Sequence, residues 1–218
     1  MKQSRVGRPK GENVENANRR RKQLMDAAIE SIVEHGLSAT TLATVARASG
    51  LSQGTAVFYF KSKESLLRET FRHLTEENEV FWNAALSDAG SDPVDKVVAL
   101  AFAAIDPRVM TPRNLKLWNA FWNAGSPNAG LSEMTAGYEA NRLGMLLSLC
   151  EAAEDRIEGA GWTPKIVAHT LETMAEGVWI RVYYSPKFIT VEESRLAMAT
   201  VLSAIFPSRA DDIMTLGS

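Results

Sequence analysis

Two sets of side chains in this sequence have the types and the spacing to do chemistry. Trp118, Phe121 and Trp122 stand at i, i+3 and i+4, and Glu176, Trp179 and Tyr183 at i, i+3 and i+7, so on helices each set forms one aromatic face. The second face adds a carboxylate. Aromatic rings attract quaternary ammonium groups through their quadrupole, at about 0.5–2 kcal/mol per contact, and a nearby carboxylate supplies the counter-charge. A choline-like cation suits such a cage. The competing use of the same residues is plain hydrophobic core, to which aromatic stripes at helical spacing usually belong.

The other set lies between Thr40 and Phe60, in TTLATVARASGLSQGTAVFYF. Thr40 or Thr41 offers a hydroxyl cap to a short helix that buries Leu42, Val45 and Ala46. Gly50 can take positive φ at a tight bend, Leu51 fills the gap, and Ser52 caps a second helix. Gln53, Gly54, Thr55 and Ala56 keep the first turn of that helix polar or small, where a core helix carries bulk. Such an end can approach base edges and phosphates closely, with Gln53 and Thr55 as hydrogen-bonding groups. The spacing predicts a helix-turn-helix. An ordinary helical hairpin is the alternative.

The elements that must position these residues are all helical. A helix is expected from about Arg19 to His35, stopped by Gly36, and another from a Ser62 cap through Leu66, Leu67, Phe71 and Leu74 to about Ser87. Asp92-Pro93, Thr111-Pro112 and Thr163-Pro164 each pair a capping residue with proline at the first helical position. They open helices near 92–105, 112–124 and 164–184, with further ones near 128–157 and 190–206. No strand-like alternation occurs, so the expectation is an all-α chain of about nine helices. Its divisions are a flexible basic arm (1–18), a helix-turn-helix domain (19–65) and a ligand-binding and dimerisation domain (66–218).

Charge follows the same division. Residues 1–70 hold 12 Lys and Arg against 7 Asp and Glu, and residues 71–218 hold 12 against 19, so a net of +5 faces one of −7. The basic end carries the helix-turn-helix, as a polyanion-binding unit requires. Within the arm, the segment from Arg5 to Lys10, RVGRPK, resembles an AT-hook core, in which Arg5 and Arg8 would lie in a narrow minor groove. A merely solubilising basic tail is the alternative. The run Arg19 to Lys22, at the expected start of its helix, opposes the macrodipole there and invites an outside anion.

Thr40, Thr41, Ala46, Gly50, Ser52, Gly54, Thr55, Tyr59, Phe60, Lys63 and Leu66 stand in the places of the DNA-binding pattern of TetR-type transcription regulators, which this stretch resembles over about fifty residues. Val57 and Phe58 depart from it, where the family often has an aromatic followed by a basic or polar residue. The resemblance implies a palindromic duplex operator; taken with the helix-turn-helix reading, the residues expected at it are Thr40, Thr41, Ser52, Gln53, Gly54, Thr55, Phe58, Tyr59, Lys61 and Lys63. It also implies a homodimer through the helices near 164–184 and 190–206, which are rich in small residues. LKLWNAFWNAGS at 115–126 and MAEGVWIRVYYSPK at 174–187 are similar to stretches of the choline-responsive repressors of glycine-betaine synthesis within that family. That likeness implies a choline-type effector; a multidrug or lipophile sensor is the alternative.

Other classes have less to stand on. His35, His73 and His169 fall in different expected helices, Cys150 has no partner base, and no glycine-rich phosphate loop follows a strand, so no enzyme is expected. One cysteine and three histidines suggest neither a disulfide nor a metal or other cofactor, and a reducing cytoplasm fits. The longest apolar run, Val97 to Ile105, is too short to span a bilayer, and no apolar run follows the basic amino terminus as in a secretory signal.

Overall fold

The computed structural model describes residues 10–125 and 129–217. Every regular element among them is helical: α1 (Lys10–Ala39), α2 (Leu42–Ala48), α3 (Gln53–Phe60), α4 (Lys63–Asp88), α5 (Pro93–Ala104), α6 (Pro112–Gly125), α7 (Ala129–Ala152), α8 (Pro164–Tyr184), α9 (Val191–Ile205) and α10 (Ala210–Gly217), with two short 3-10 turns. Two compact units divide between Leu74 and Thr75, inside α4. The expected division after residue 65 falls short of this because Leu66 belongs to the amino-terminal core and Glu69 pairs with Arg21.

In the amino-terminal unit, Leu24 and Ala28 of α1, Val45 and Ala46 of α2, Ala56 and Phe60 of α3, and Leu66 of α4 form one buried cluster. Local chemistry sets the joints. Thr41 Oγ1 accepts from the Thr44 backbone N–H while the Thr44 hydroxyl oxygen accepts from the Thr41 N–H, a reciprocal cap contributing about 1 kcal/mol. Gly50 takes φ 71°, the Leu51 N–H reaches the Ala46 carbonyl at 3.0 Å, and Ser52 Oγ accepts from Thr55 N–H. The Gln23 side-chain amide of α1 donates to the Ser49 carbonyl at 2.7 Å, tying the turn to the bracing helix. The helix-turn-helix is formed.

The start of α1 corrects one expectation. The helix begins at Lys10, so the arm does not extend to residue 18; from Glu12 to His35 no glycine or proline interrupts the ladder once it has formed. Arg19 to Lys22 therefore lie beyond the first turn, where the macrodipole no longer opposes them. Arg21 pairs with Glu69 at 2.8 Å and Lys22 with Asp26 at 3.4 Å, and Arg19 donates to Asn16. Arg5 and Arg8 lie outside the described residues.

The carboxy-terminal unit is built round α5, which is buried along most of its length and packs against α7, α8 and α9. Asp92 caps it through the Val94 N–H, which together with Arg156 and Arg209 holds the Asp92 carboxyl below its ordinary range. Thr163 and Thr190 cap α8 and α9 in the same manner. α7 ends at Ala152, five residues before the expected limit, in a 3-10 turn. The helix α10 lies beyond the last expected helix; Arg209 anchors its approach to the cap residue Asp92 and to Asp95 of α5. No helix is long and apolar enough to cross a membrane among the described residues.

Candidate functional site

The first candidate surface is α3. Gln53, Gly54, Val57 and Phe58 are exposed, Phe58 to 76%, while Thr55 and Tyr59 are half-buried. A Cβ at Gly54 would meet only Ser52 Oγ, at 3.7 Å, so the fold itself does not demand glycine there. An open, small first turn remains, of the kind that lets a helix end approach a groove. Ser52 and Thr55 exchange a hydroxyl contact at 2.8 Å, Tyr59 packs on the core, and Phe58 meets its ring edge-on at 5.2 Å. Lys61 is exposed at φ 59°, where the chain turns sharply into α4. Thr41 is exposed at the cap of α2.

Two residues expected at this surface have other occupations. Thr40 is fully buried; its hydroxyl donates to the Gly36 carbonyl at 3.0 Å and meets Ser31 Oγ at the same distance, so it closes the end of α1 and cannot reach DNA in this arrangement. The Lys63 ammonium donates to the Leu37 and Ser38 carbonyls at 2.6 and 2.9 Å, satisfying the last carbonyls of α1. A lysine read as a phosphate ligand thus serves as a latch between α1 and α4.

The second candidate is an aromatic cage in the carboxy-terminal unit. Trp118 of α6 stacks on Tyr138 of α7 at 5.2 Å between centroids and 27°, and meets Trp122 at 5.8 Å and Trp179 of α8 at 6.4 Å. Trp122 and Trp179 stand at 90°, and Trp82 of α4 closes on Tyr138 at 5.4 Å. Four of the five tryptophans gather here. The enclosed space is about 40 Å³, and an outer groove of about 290 Å³ adjoins it past Trp122, Glu139 and Glu176. The inner space fits a compact group, about three waters in size, unless the rings move.

The walls are anionic. Glu139, Glu172 and Glu176 face the cage with Arg142 as the opposing cation, and Arg142 is spent on Glu172, its Nε donating to Oε1 at 2.9 Å. Burial raises the Glu176 carboxyl above its ordinary value; Glu172 and Glu139 push it the same way and Arg142 opposes them. Such a site favours positive charge with an apolar envelope.

Of the six residues expected here, Trp118, Trp122, Glu176 and Trp179 line the cage. Phe121 does not: it is fully buried beneath α6. Nor does Tyr183, which meets Tyr184 edge-on at 4.7 Å outside the cage. The sequence reading missed Trp82, Tyr138, Glu139, Arg142 and Glu172. An i, i+4 pair, Tyr138 and Arg142 on α7, and Glu172 four residues before Glu176 on α8, were the available signals.

A helix-turn-helix unit followed by an all-helical unit that encloses an aromatic cage is the arrangement of a helix-turn-helix transcriptional regulator. Residues 24–70 match the TetR family of bacterial regulatory proteins, and residues 93–207 match the carboxy-terminal domain of BetI-type transcriptional repressors. Relatives include the HTH-type transcriptional regulators BetI of Burkholderia thailandensis, 33% identical, and of Burkholderia ambifaria, 31% identical; the alignments cover 74% of this chain and 80% and 81% of theirs. A crystal structure of a transcriptional regulator from Saccharomonospora viridis in complex with choline shares the fold at a TM-score of 0.74 and 16% identity, over 85% of this chain and 96% of that one. The chain belongs to the TetR family, with a BetI-type carboxy-terminal domain, and is a helix-turn-helix transcriptional regulator.

Proposed function

We propose that this regulator is a cytoplasmic homodimeric repressor that leaves its palindromic operator when a small quaternary ammonium compound, choline or a near relative, enters the cage. The observation that carries the reading is the cage itself: Trp118, Trp122, Tyr138 and Trp179 converge beside Glu172 and Glu176, with one cation against three carboxylates. The choline complex of the Saccharomonospora viridis protein, a relative in fold, lends support. Operator readout falls to Gln53, Gly54, Thr55 and Phe58 of α3, with Ser52, Thr41, Tyr59 and Lys61 at its margins. Dimerisation falls to α8 and α9, and Arg5 and Arg8 supplement phosphate or minor-groove contact.

The physical requirement is differential affinity: the ligand releases DNA only if it prefers the DNA-incompetent state, and a coupling of about 1–3 kcal/mol changes operator affinity some 5- to 150-fold. Calorimetric titration with choline, with the operator complex followed in parallel, tests the proposal. Binding with release is expected. Release by unrelated lipophiles, with choline inert, would replace it with a broad lipophile sensor.

A further inference from the structure

Among the described residues, one lining the cage has a buried polar atom with no protein partner. Glu172 is buried to 8% exposure in α8, and Arg142 takes its Oε1 through both Nε and Nη2, at 2.9 and 2.5 Å. Its other oxygen, Oε2, is buried and accepts no hydrogen bond from any protein group among the described residues. A buried acceptor left unsatisfied is costly, and buried polar atoms are ordinarily paired. Both near nitrogens of Arg142 are on Oε1, and its guanidinium lies over the Trp82 ring at 5.6 Å.

This atom constrains the ligand beyond its charge. A quaternary ammonium group is sheathed in methyl groups and has no N–H, so it satisfies the aromatic faces and the local field but gives Oε2 nothing to accept. A hydroxyl on the same molecule would donate. We propose that Glu172 Oε2 accepts a hydrogen bond from a hydroxyl carried by the cationic ligand, so that the cage selects an ammonium alcohol over the corresponding carboxylate. The reading rests on the quaternary-ammonium proposal above. Oxidising the alcohol to an acid would remove the donor and bring a second anion against Glu172, with Glu139 and Glu176 also facing the space and Arg142 already committed. Substrate and oxidised product of an alcohol-to-acid reaction would then be told apart by one oxygen. Glu172 is in this sense a specificity-determining residue.

Four probes separate the terms on the unaltered protein by calorimetry: choline, ethyltrimethylammonium (same charge and methyl envelope, no donor), 3,3-dimethyl-1-butanol (hydroxyl, no charge) and glycine betaine (carboxylate in place of hydroxyl). Choline should bind about tenfold or more tightly than ethyltrimethylammonium and glycine betaine, as a charge-assisted hydrogen bond implies. In Glu172→Gln, whose fold is checked by circular dichroism and thermal melting, the choline preference over ethyltrimethylammonium should shrink to about threefold or less, since the bond becomes a neutral one. Equal affinities for choline and ethyltrimethylammonium in the wild type would overturn the assignment even if the variant does not fold. So would an unchanged preference in a folded variant, or glycine betaine binding as well as choline. Failure of the underlying cation reading looks different: neither ammonium compound binds, or the neutral alcohol binds as tightly as choline.

Discussion

Trp179 donates its indole N–H to the Ala104 carbonyl at 2.8 Å, joining α8 to the last turn of α5. That carbonyl is one of the four that a helix end leaves without an intrahelical partner, so one bond both closes α5 and fixes the ring plane that meets Trp118 and Trp122. Trp179→Phe should therefore lower stability by about 1–3 kcal/mol by leaving a buried carbonyl unpaired. It should also weaken choline binding although an aromatic ring remains. Urea unfolding and calorimetry check both. Full stability with normal affinity would mean the bond orients nothing.

The Glu176 carboxyl is held above its ordinary value of 4.5, first by burial and then by Glu172 and Glu139, with Arg142 opposing. In the window from that ordinary value upward to the raised one, the folded chain keeps a proton that the unfolded chain has lost. Stability from this group is thus greatest at low pH and declines as pH rises through the window. Affinity for a cation runs the other way, growing as the carboxylate forms. Calorimetry from about pH 5 to 8 should show choline binding strengthen with pH, with a flatter profile in Glu176→Gln. A profile identical in both would remove Glu176 from the cage.

How far the sequence made this site legible depends on which restraint acted. Thr41, Gly50 and Ser52 could be read because caps and positive-φ turns are decided within four residues, and the structure puts each in its expected place. Trp118, Trp122, Glu176 and Trp179 could be read because one helix face determines them. Tyr138 and Arg142 show their shared helix face at i, i+4, but not their place in the cage: only packing of α7 against α4, α6 and α8 makes them neighbours of those residues. Thr40 and Lys63 were legible as polar and basic, but not as partners of carbonyls at the end of α1, since their bonds to Gly36, Leu37 and Ser38 depend on how α1 breaks at Gly36.

Lys63 gives a prediction that differs from the one its type suggests. Lys63→Met keeps the apolar stem and removes the ammonium from the Leu37 and Ser38 carbonyls. It should lower the stability of the amino-terminal unit and weaken DNA binding with it. The slope of log affinity against log salt should stay as in the wild type, because no phosphate contact is lost. A slope shallower by about one at unchanged stability would return Lys63 to the phosphate-binding set.

Gln53 stands exposed in the first turn of α3, beside a glycine that the fold does not need. Gln53→Ala should cost about 1–3 kcal/mol on the operator and little on random duplex. Competition mobility shifts with both DNAs make the comparison. Equal losses on the two would exclude base readout.

The outer face of α8 carries Ile166, Ile180 and Tyr184 exposed, in line with Thr173 and Gly177, and α9 exposes Leu196 near Thr200 and Ala204. Large apolar side chains flanked by small ones on two adjacent helices allow close helix packing against a second copy, and covering them would remove an exposed apolar stripe from water. Ile166→Glu together with Leu196→Glu places like charges across any twofold contact of this face. Sedimentation should then give half the wild-type mass, and operator affinity should fall about tenfold or more, because one half-site no longer delivers the other. Choline binding to the variant should persist, since neither residue lines the cage. A variant that remains dimeric would move the interface away from α8 and α9.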